Sequence, residues 1–110
     1  FINDIGCIEV KSLLSREKHI SFPDKSSKRI GEQLKQYINL QKVGIPVTFA
    51  FIAMSKDIIS LDWSNHDVKN DLSKAINLGL KIEAFSVVYE GSSFKLIKND
   101  MLKNQITANL

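Results

Sequence analysis

Hydrophobic and polar side chains alternate over residues 5–11, which predicts a β-strand close to the start of the chain. Ile8 and Val10 would face one side of this strand, and Glu9 and Lys11 would face the other. Apolar side chains on both sides predict a strand that is covered on both faces, with the charged pair near its open end.

Two longer segments repeat their apolar residues with the spacing of an α-helix. The first is expected to start from a cap at Ser26 or Ser27 and to run to Val43, where Gly44 ends it. The second is predicted over residues 67–78. Each has one apolar face, so both should pack against a sheet.

Further strands follow these helices. Residues 45–53 are almost entirely apolar, as in a buried central strand, and residues 80–91 alternate before residues 92–98 turn back along them. The remaining assignments are a short strand over residues 19–22, a loop over residues 54–67 and a loose polar tail over residues 101–110.

The order strand, helix, strand, helix, strand, strand predicts an α/β fold. Helical crossovers favour parallel neighbours, so we expect a mixed sheet flanked by two helices, with an antiparallel hairpin at its end. Residues 1–100 should form one domain. The first residues resemble half of a hairpin, so the chain is expected to begin inside a fold whose amino-terminal part is missing.

Composition narrows the class of protein. The chain has 110 residues, of which 44% are hydrophobic and 25% charged. The hydrophobic content is sufficient for one core, and this composition without low-complexity segments argues against a disordered protein. No apolar run reaches the roughly 18 residues of a membrane helix, and Cys7 is the single cysteine, so a cytoplasmic protein without membrane contact is expected. The net charge of +3 is compatible with a polyanionic partner, and nothing in the sequence specifies an oligomeric state.

Glu9 and Lys11 place a carboxylate and an ammonium on one side of a strand, about 6 to 7 Å apart at the backbone. Hydrolysis of a phosphodiester can use both groups: the carboxylate helps hold a divalent metal that activates water, and the lysine orients the water or balances the developing charge. The same spacing is also common by chance, as a solvated ion pair at a strand edge. On these two residues alone, both interpretations stand.

The surrounding sequence distinguishes between them. "CIEVKSLLSREKHISFPDKSSKRIGEQLKQ" is similar to the pattern of the sugar fermentation stimulation protein family (SfsA), a strand with [IV]EVK followed by FPDAxTxRGxxHL. The similarity continues through "GIPVTFAFI", "DIISLDW", "LGLKIEAFSVVY" and "FKLIKN", in the same order and at matching spacing. The chain thus resembles the carboxy-terminal domain of that family over nearly its whole length.

This resemblance implies a restriction-endonuclease-like core of the PD-(D/E)xK type. Glu9 and Lys11 would be the last two letters of that motif, with Glu9 as a ligand of Mg²⁺ or Mn²⁺. The resemblance also implies binding of DNA or RNA, a metal-dependent nuclease activity, and a link to the regulation of sugar (maltose) metabolism genes.

The chain departs from the family pattern at several places. The family's first motif acid lies on a strand just before or across Phe1 and is absent here, as is the family's amino-terminal OB-like domain, so these residues alone are expected to be inactive. Asp4 is a poor substitute for that acid. Ile30 replaces a glycine of the pattern, and Gln33 replaces a histidine, whose role as a proton shuttle a neutral amide cannot take over.

The segment before the first helix holds further candidates. Asp24 is either a metal ligand or a helix cap. Lys25, Lys28 and Arg29 concentrate positive charge at the amino terminus of the helix, where they would contact nucleic-acid phosphates or belong to a solvated connector. The family resemblance favours the phosphate contacts.

Other residues that could carry chemistry have a simpler explanation. Burial in the core is expected for Phe22 and Trp63 in preference to stacking on a base. The residues that lack the spacing of a metal site or a neighbouring catalytic base are His19, His66, Ser12 and Ser15.

Three hypotheses follow from the sequence. The first is a nuclease-type domain in which Glu9 and Lys11 act on DNA or RNA with Asp24 and Arg29 in support. The second is a non-catalytic DNA-binding regulator with the same fold, and the third is a purely structural α/β domain whose basic connector faces water.

Overall fold

The structure is a computed structural model that describes residues 6–13, 19–22, 28–54, 60–63, 66–108 and 110. Six strands and three helices lie within these residues. In chain order they are β1 (Cys7–Leu13), β2 (His19–Phe22), α1 (Lys28–Lys42), β3 (Val47–Ala53), β4 (Ser60–Trp63), α2 (His66–Asn77), β5 (Lys81–Glu90), β6 (Ser93–Lys98) and α3 (Asp100–Ala108). None of the described helices is long and apolar enough to span a membrane.

The main sheet has the strand order β1-β3-β5-β6. Its first three strands are parallel, and β6 pairs with β5 in the antiparallel direction. β2 and β4 form a second, two-stranded parallel sheet. The predicted α/β fold with a mixed sheet and a terminal hairpin is confirmed, but three helices accompany the sheet instead of two.

The apolar run of β3 explains its central place. Val47, Phe49, Phe51 and Ala53 are all buried, and β3 has a hydrogen-bonded neighbour on each side. A strand with apolar side chains along almost its whole length is most stable in that position.

The two predicted helices lie close to their expected bounds. In α1, Leu34 and Ile38 are buried one turn apart, as the apolar spacing predicts. Gly44 follows the helix with a φ of 89°, and its amide donates to the carbonyl of Gln41. Because side chains disfavour this left-handed conformation, glycine ends the helix here and turns the chain toward β3. The predicted caps at Ser26 and Ser27 lie outside the described residues.

The prediction of a loose tail over residues 101–110 is wrong. These residues contain most of α3, whose Leu102 and Ile106 are fully buried in the core one helical turn apart. Asn99 caps the helix: its Oδ1 accepts the Leu102 amide at 3.0 Å, while its Nδ2 donates to Ser86 Oγ at 2.8 Å. Two apolar positions on one side of the helix are enough to pack it against the core, even though the rest of the segment is rich in polar residues.

The prediction of a loop over residues 54–67 is also wrong in part, since this range contains β4. The short strand pairs with β2, which was predicted, and Leu61 at its centre is fully buried. The ring of Phe22 contacts those of Phe51 and Trp63, with centroids 5.4 and 5.8 Å apart in edge-to-face geometry. This confirms that Phe22 and Trp63 pack in the core.

β1 is covered on one face only within the described part of the chain, contrary to the prediction. Cys7 and Leu13 are buried at its two ends, whereas Ile8 and Val10 on the opposite side are 42% and 51% exposed. The described residues leave the face that carries Ile8 and Val10 only partly covered, so apolar side chains on both faces of a strand do not by themselves guarantee a layer on each face. The inner face, which carries the charged pair, is the face that packs against α1.

Candidate functional site

The acid and the base of β1 lie together on its inner face. Lys11 Nζ is 3.0 Å from Glu9 Oε1, and the two side chains are only 14% and 18% exposed. They occupy the positions between the buried Cys7 and Leu13, so the alternation of the strand directs them toward the interior. Few charged side chains are held so far from water without partners, which makes their surroundings informative.

Helix α1 supplies those partners. Tyr37 Oη donates a hydrogen bond to Glu9 Oε2 at 2.6 Å, and Lys11 Nζ donates to Gln33 Oε1 at 2.5 Å. Gln33 and Tyr37 are four residues apart and therefore share one side of the helix, just as Glu9 and Lys11 share one side of the strand. We call these four residues the inner polar network.

Aromatic packing fixes the position of the helix above the strand. The ring of Tyr37 stands edge-on to that of Phe49, with centroids 5.5 Å apart and planes at 90°. Phe49 is the residue of β3 that pairs with Glu9 in the parallel register. The contact therefore holds the Tyr37 hydroxyl directly over the carboxylate that accepts its hydrogen bond.

The network changes the ionisation of its members. Burial by itself would raise the pKa of the Glu9 carboxyl, but the hydrogen bonds from Tyr37 and Lys11 and the positive charge of Lys11 outweigh it, so the pKa is lowered. Burial, the hydrogen bond to Glu9 and the negative charge of Glu9 all raise the pKa of the Tyr37 phenol. At neutral pH the site therefore holds a carboxylate and a protonated phenol.

The neighbouring thiol is not a reactive group. Cys7 is 2% exposed, and its burial raises the pKa of its thiol, with a smaller rise from the negative charge of Glu9. A thiol in such surroundings stays protonated at neutral pH and is a poor nucleophile.

These pKa directions predict how stability depends on pH. A carboxyl whose pKa falls on folding stabilises the protein above its unfolded value of about 4.3, and this contribution is lost as the pH falls through the folded value. A phenol whose pKa rises contributes below about 10 and loses this contribution as the pH rises toward its folded value. The free energy of unfolding, measured by urea titration at several pH values, should therefore fall at acid pH as Glu9 becomes protonated and at alkaline pH as Tyr37 loses its proton.

A matched pair of variants tests this pH dependence. Glu9→Gln should remove the acid decrease that belongs to Glu9 and weaken the alkaline one, because Tyr37 loses its charged partner. Glu90→Gln should leave both decreases unchanged, since the ion pair of Glu90 with Lys95 has side chains 60% and 56% exposed. Identical pH profiles for the two variants would contradict the assignment.

The structure describes only some of the remaining predicted site residues. Lys28 and Arg29 are the first two residues of α1, as the sequence predicts for a basic helix start. Asp24 and Lys25 lie outside the described residues, as does Asp4. The predicted metal pair of Glu9 with Asp24, and the predicted phosphate contacts, therefore stay predictions. His19 is exposed on β2, and His66 is the first residue of α2.

Gln33 and Tyr37 are the members of the site that the sequence patterns did not identify as functional. Tyr37 belongs to the apolar spacing of α1, and only its hydroxyl distinguishes it from a core residue. A buried tyrosine needs a hydrogen-bond partner, which is the signal that could have found it. Gln33 could have been found as the residue that stands in place of the family's histidine.

The described part of the network offers a divalent cation two oxygen donors, the Glu9 carboxylate and the Gln33 amide. Carboxylate and amide oxygens are ligands that Mg²⁺ and Mn²⁺ accept, and Mg²⁺ usually takes only one or two protein carboxylates. Glu9 Oε1 and Gln33 Oε1 already converge on one cationic atom, the ammonium nitrogen of Lys11. No group of three or more His, Cys, Asp or Glu side chains able to hold a metal exists within the described ranges, so further ligands would be water or residues outside them.

Comparison with known protein families identifies the chain. The family described as the sugar fermentation stimulation protein RE domain, SfsA, matches residues 3–93. The chain belongs to this family. The resemblance noted from the motif around Glu9 and Lys11 is thereby confirmed at the level of the SfsA family.

A solved SfsA structure shares the fold. The structure of Pyrococcus furiosus SfsA in complex with Ca²⁺ matches with a TM-score of 0.65 at 24% sequence identity, over 83% of this chain and 41% of that chain. The chain thus spans less than half the length of that SfsA protein. A search of curated proteins finds no match.

Proposed function

We propose that this SfsA domain binds DNA or RNA and that, in the complete protein, it contributes the Glu and Lys of a metal-dependent nuclease site. The observation that carries the proposal is the inner polar network: a carboxylate and an ammonium 3.0 Å apart that face inward, with the carboxylate accepting a hydrogen bond from Tyr37 and the ammonium donating one to Gln33 of the same helix. An accidental ion pair at a strand edge would be exposed and would not have two dedicated partners.

Each residue has a specific part in this proposal. Glu9 would hold Mg²⁺ or Mn²⁺, with Asp24 as a second ligand. The bound metal would supply positive charge beside the scissile phosphate and favour ionisation of the attacking water. Lys11 would orient that water or donate a hydrogen bond to the phosphate oxygen on which negative charge develops.

The basic start of α1 would position the substrate. Lys25, Lys28 and Arg29 would contact backbone phosphates, and the free amides at a helix amino terminus favour the same negative groups. Because such contacts carry no base-specific information, the proposal includes no sequence preference.

One observation favours a second candidate, the non-catalytic DNA-binding regulator. Both oxygens of the Glu9 carboxylate already have partners, Lys11 and Tyr37, and the described residues add no cluster of acids around it. A network of this kind can be a purely structural polar pair. Such a regulator would bind nucleic acid without cleaving it, and its binding would survive Glu9→Ala.

Salt-dependent binding tests the interface that both candidates share. In fluorescence anisotropy with single- and double-stranded DNA and RNA, Lys25→Gln, Lys28→Gln and Arg29→Gln together should weaken binding by more than tenfold at low salt. They should also reduce the slope of log K against log salt by up to about three, one for each lost phosphate contact.

The control variant carries the same change of charge at the other end of the helices. Lys42 and Lys74 lie in the last turns of α1 and α2, Lys81 begins β5, and all three are exposed. Changing these three to glutamine should cost little affinity. Equal losses in the two triple variants, or no binding by the unchanged protein at low salt, would contradict the proposed interface.

A further inference from the structure

The hairpin of β5 and β6 extends beyond the rest of the main sheet. β3 pairs with β5 only as far as Ser86, which lies opposite Ala53 at the end of β3. β6 pairs with β5 from Phe85 to Glu90. Within the described ranges, the part of the hairpin past Ser86 is therefore a two-stranded projection. We call this projection, residues 87–96, the β5–β6 arm.

One face of the arm carries two exposed aromatic rings. Tyr89 and Phe94 pair across the hairpin, so their side chains share one face, and their ring centroids lie 6.1 Å apart. The two residues are 62% and 67% exposed, more than any other aromatic residue in the described part of the chain. Aromatic side chains held this far into solvent are typical of a surface that contacts a ligand.

The arm leaves the sheet at the edge where the basic start of α1 lies. Gln33 of α1 contacts Lys11. Tyr37, one turn further along the helix, contacts Glu9, which precedes Lys11 on the strand. α1 therefore runs antiparallel to β1 and begins toward the carboxyl end of that strand. β1, β3 and β5 are parallel, so the arm extends from the same carboxyl edge.

The path between the arm and the inner polar network bends around this edge. Ala84 is level with Lys11 across β3, and Tyr89 follows Ala84 by five residues on the opposite face of the sheet. At about 3.3 Å per residue and about 4.8 Å between strands, Lys11 and Tyr89 lie roughly 20 Å apart. Double-stranded DNA is stiff over about 150 base pairs, whereas a flexible single strand of a few nucleotides can follow such a bend. The geometry therefore favours a single strand.

Two lysines place positive charge beside the rings. Lys98 lies on the same face of β6 as Phe94, and Lys95 lies on the other face in an exposed ion pair with Glu90. Such a pair holds its lysine only weakly. Lysines on an outermost strand also oppose its pairing with a strand of a second copy. Aromatic rings with positive charge around them bind the bases and the backbone of a single strand.

We propose that the β5–β6 arm binds single-stranded nucleic acid by stacking unpaired bases on Tyr89 and Phe94, with Lys95 and Lys98 contacting the flanking phosphates. This inference rests on the proposed binding of DNA or RNA, and it adds the form of the substrate, a segment with unpaired bases. Every base has a flat face that can stack, so the arm has no base preference. Bases inside a duplex are already stacked on each other, so the arm discriminates against double-stranded substrate.

Fluorescence anisotropy with the full-length protein tests the stacking without any substitution. The probes are a single-stranded oligonucleotide, a strand of the same length and charge with abasic sites in place of its bases, and the corresponding duplex. The ordinary strand should bind at least about tenfold more tightly than the abasic strand, since stacking of one base on one ring changes affinity by about fivefold to a hundredfold. Equal affinities for these two strands would overturn the proposal.

Leucine substitutions locate the effect on the arm. Tyr89→Leu combined with Phe94→Leu keeps apolar side chains and removes both rings, so affinity for the ordinary single strand should fall at least about tenfold, and affinity for the duplex by less than about twofold. The slope of log K against log salt should not change, because the rings release no counterions. Undiminished binding of the single strand by this double variant would overturn the role of the rings.

Two controls accompany the leucine variant. Tyr89→Phe keeps the ring and should bind like the unchanged protein. Val43→Ala with Met101→Ala removes exposed apolar side chains outside the arm, and it should leave the affinity for the single strand unchanged. A loss of fold would weaken the single strand and the duplex together, so it would not produce the selective loss expected for the rings.

The outcomes separate this inference from the function on which it rests. If both single strands bind equally, and the triple variant of Lys25, Lys28 and Arg29 weakens both, the role of the arm is overturned while nucleic-acid binding stands. If no probe binds the unchanged protein at low salt, both proposals fail. If the leucine variant binds normally but turns a dimer into a monomer in sedimentation velocity, the arm is a contact between copies and the proposal is overturned.

Discussion

Glu9→Gln is expected to lower the cleavage of DNA or RNA by the full-length protein in Mg²⁺ or Mn²⁺ by at least about a hundredfold. Loss of the proposed ligand would remove part of the charge stabilisation that a bound metal provides, which is worth several kcal/mol, and each 1.4 kcal/mol corresponds to a factor of about ten in rate. The amide of glutamine has nearly the shape of the carboxylate and can still accept from Tyr37 through its oxygen. The change therefore removes charge with little change in packing.

The measurement is the initial rate of cleavage on end-labelled substrates, with binding measured in parallel. Glu90→Gln is the control, because Glu90 carries the same charge in an exposed ion pair away from the network, and its rate should not change. Cleavage at an undiminished rate by Glu9→Gln would show that the activity belongs to another site. Binding that persists without any cleavage, in both the unchanged protein and Glu9→Ala, would favour the non-catalytic regulator.

Lys11→Met is expected to lower the free energy of unfolding by about 3 kcal/mol, the largest effect on stability that we predict for the site. The substitution leaves the mostly buried carboxylate of Glu9 without its positive partner, and removal of one member of a buried ion pair typically costs about 3–5 kcal/mol. Methionine has a similar length and fills the same space, so loss of packing contributes little.

A double-mutant cycle separates the charge effect from other changes. The double variant Glu9→Gln with Lys11→Met should recover much of the lost stability in urea denaturation, because no unpaired charge then stays buried. The corresponding cycle on Glu90 and Lys95, whose side chains are more than half exposed, should show an interaction of less than about 1 kcal/mol. A Lys11→Met effect as small as that of Lys95→Met would mean that water reaches the pair.

The parts of the fold that the sequence predicts correctly are those with a strong local pattern. The apolar run of β3 and the helical spacing of Leu34 and Ile38 each belong to an element whose whole length repeats one signal. α3 was missed because its core contact rests on Leu102 and Ile106 alone, among polar neighbours. β4 was missed because four residues are too few for a period to show, and its pairing with β2 is a tertiary event.

The candidate site was predictable only along the strand. The spacing of Glu9 and Lys11 places them on one side of β1, and this follows from the geometry of any strand. Their contacts with Gln33 and Tyr37 depend on how α1 crosses the sheet, and no pattern within either segment encodes that angle. The exposure of Ile8 and Val10 could not be predicted either, because the pattern along a strand does not show whether another layer packs on each of its faces.

The parallel pairing of β1 with β3 also determines when the site can exist during protein synthesis. Cys7 pairs with Val47, so the two strands meet only after the whole of α1 has been translated between them. Contacts between such distant parts of a chain are slow to form, because the intervening loop must close first. A nascent chain that ends before Ala53 therefore contains all four residues of the inner polar network but lacks part of the strand with which β1 pairs.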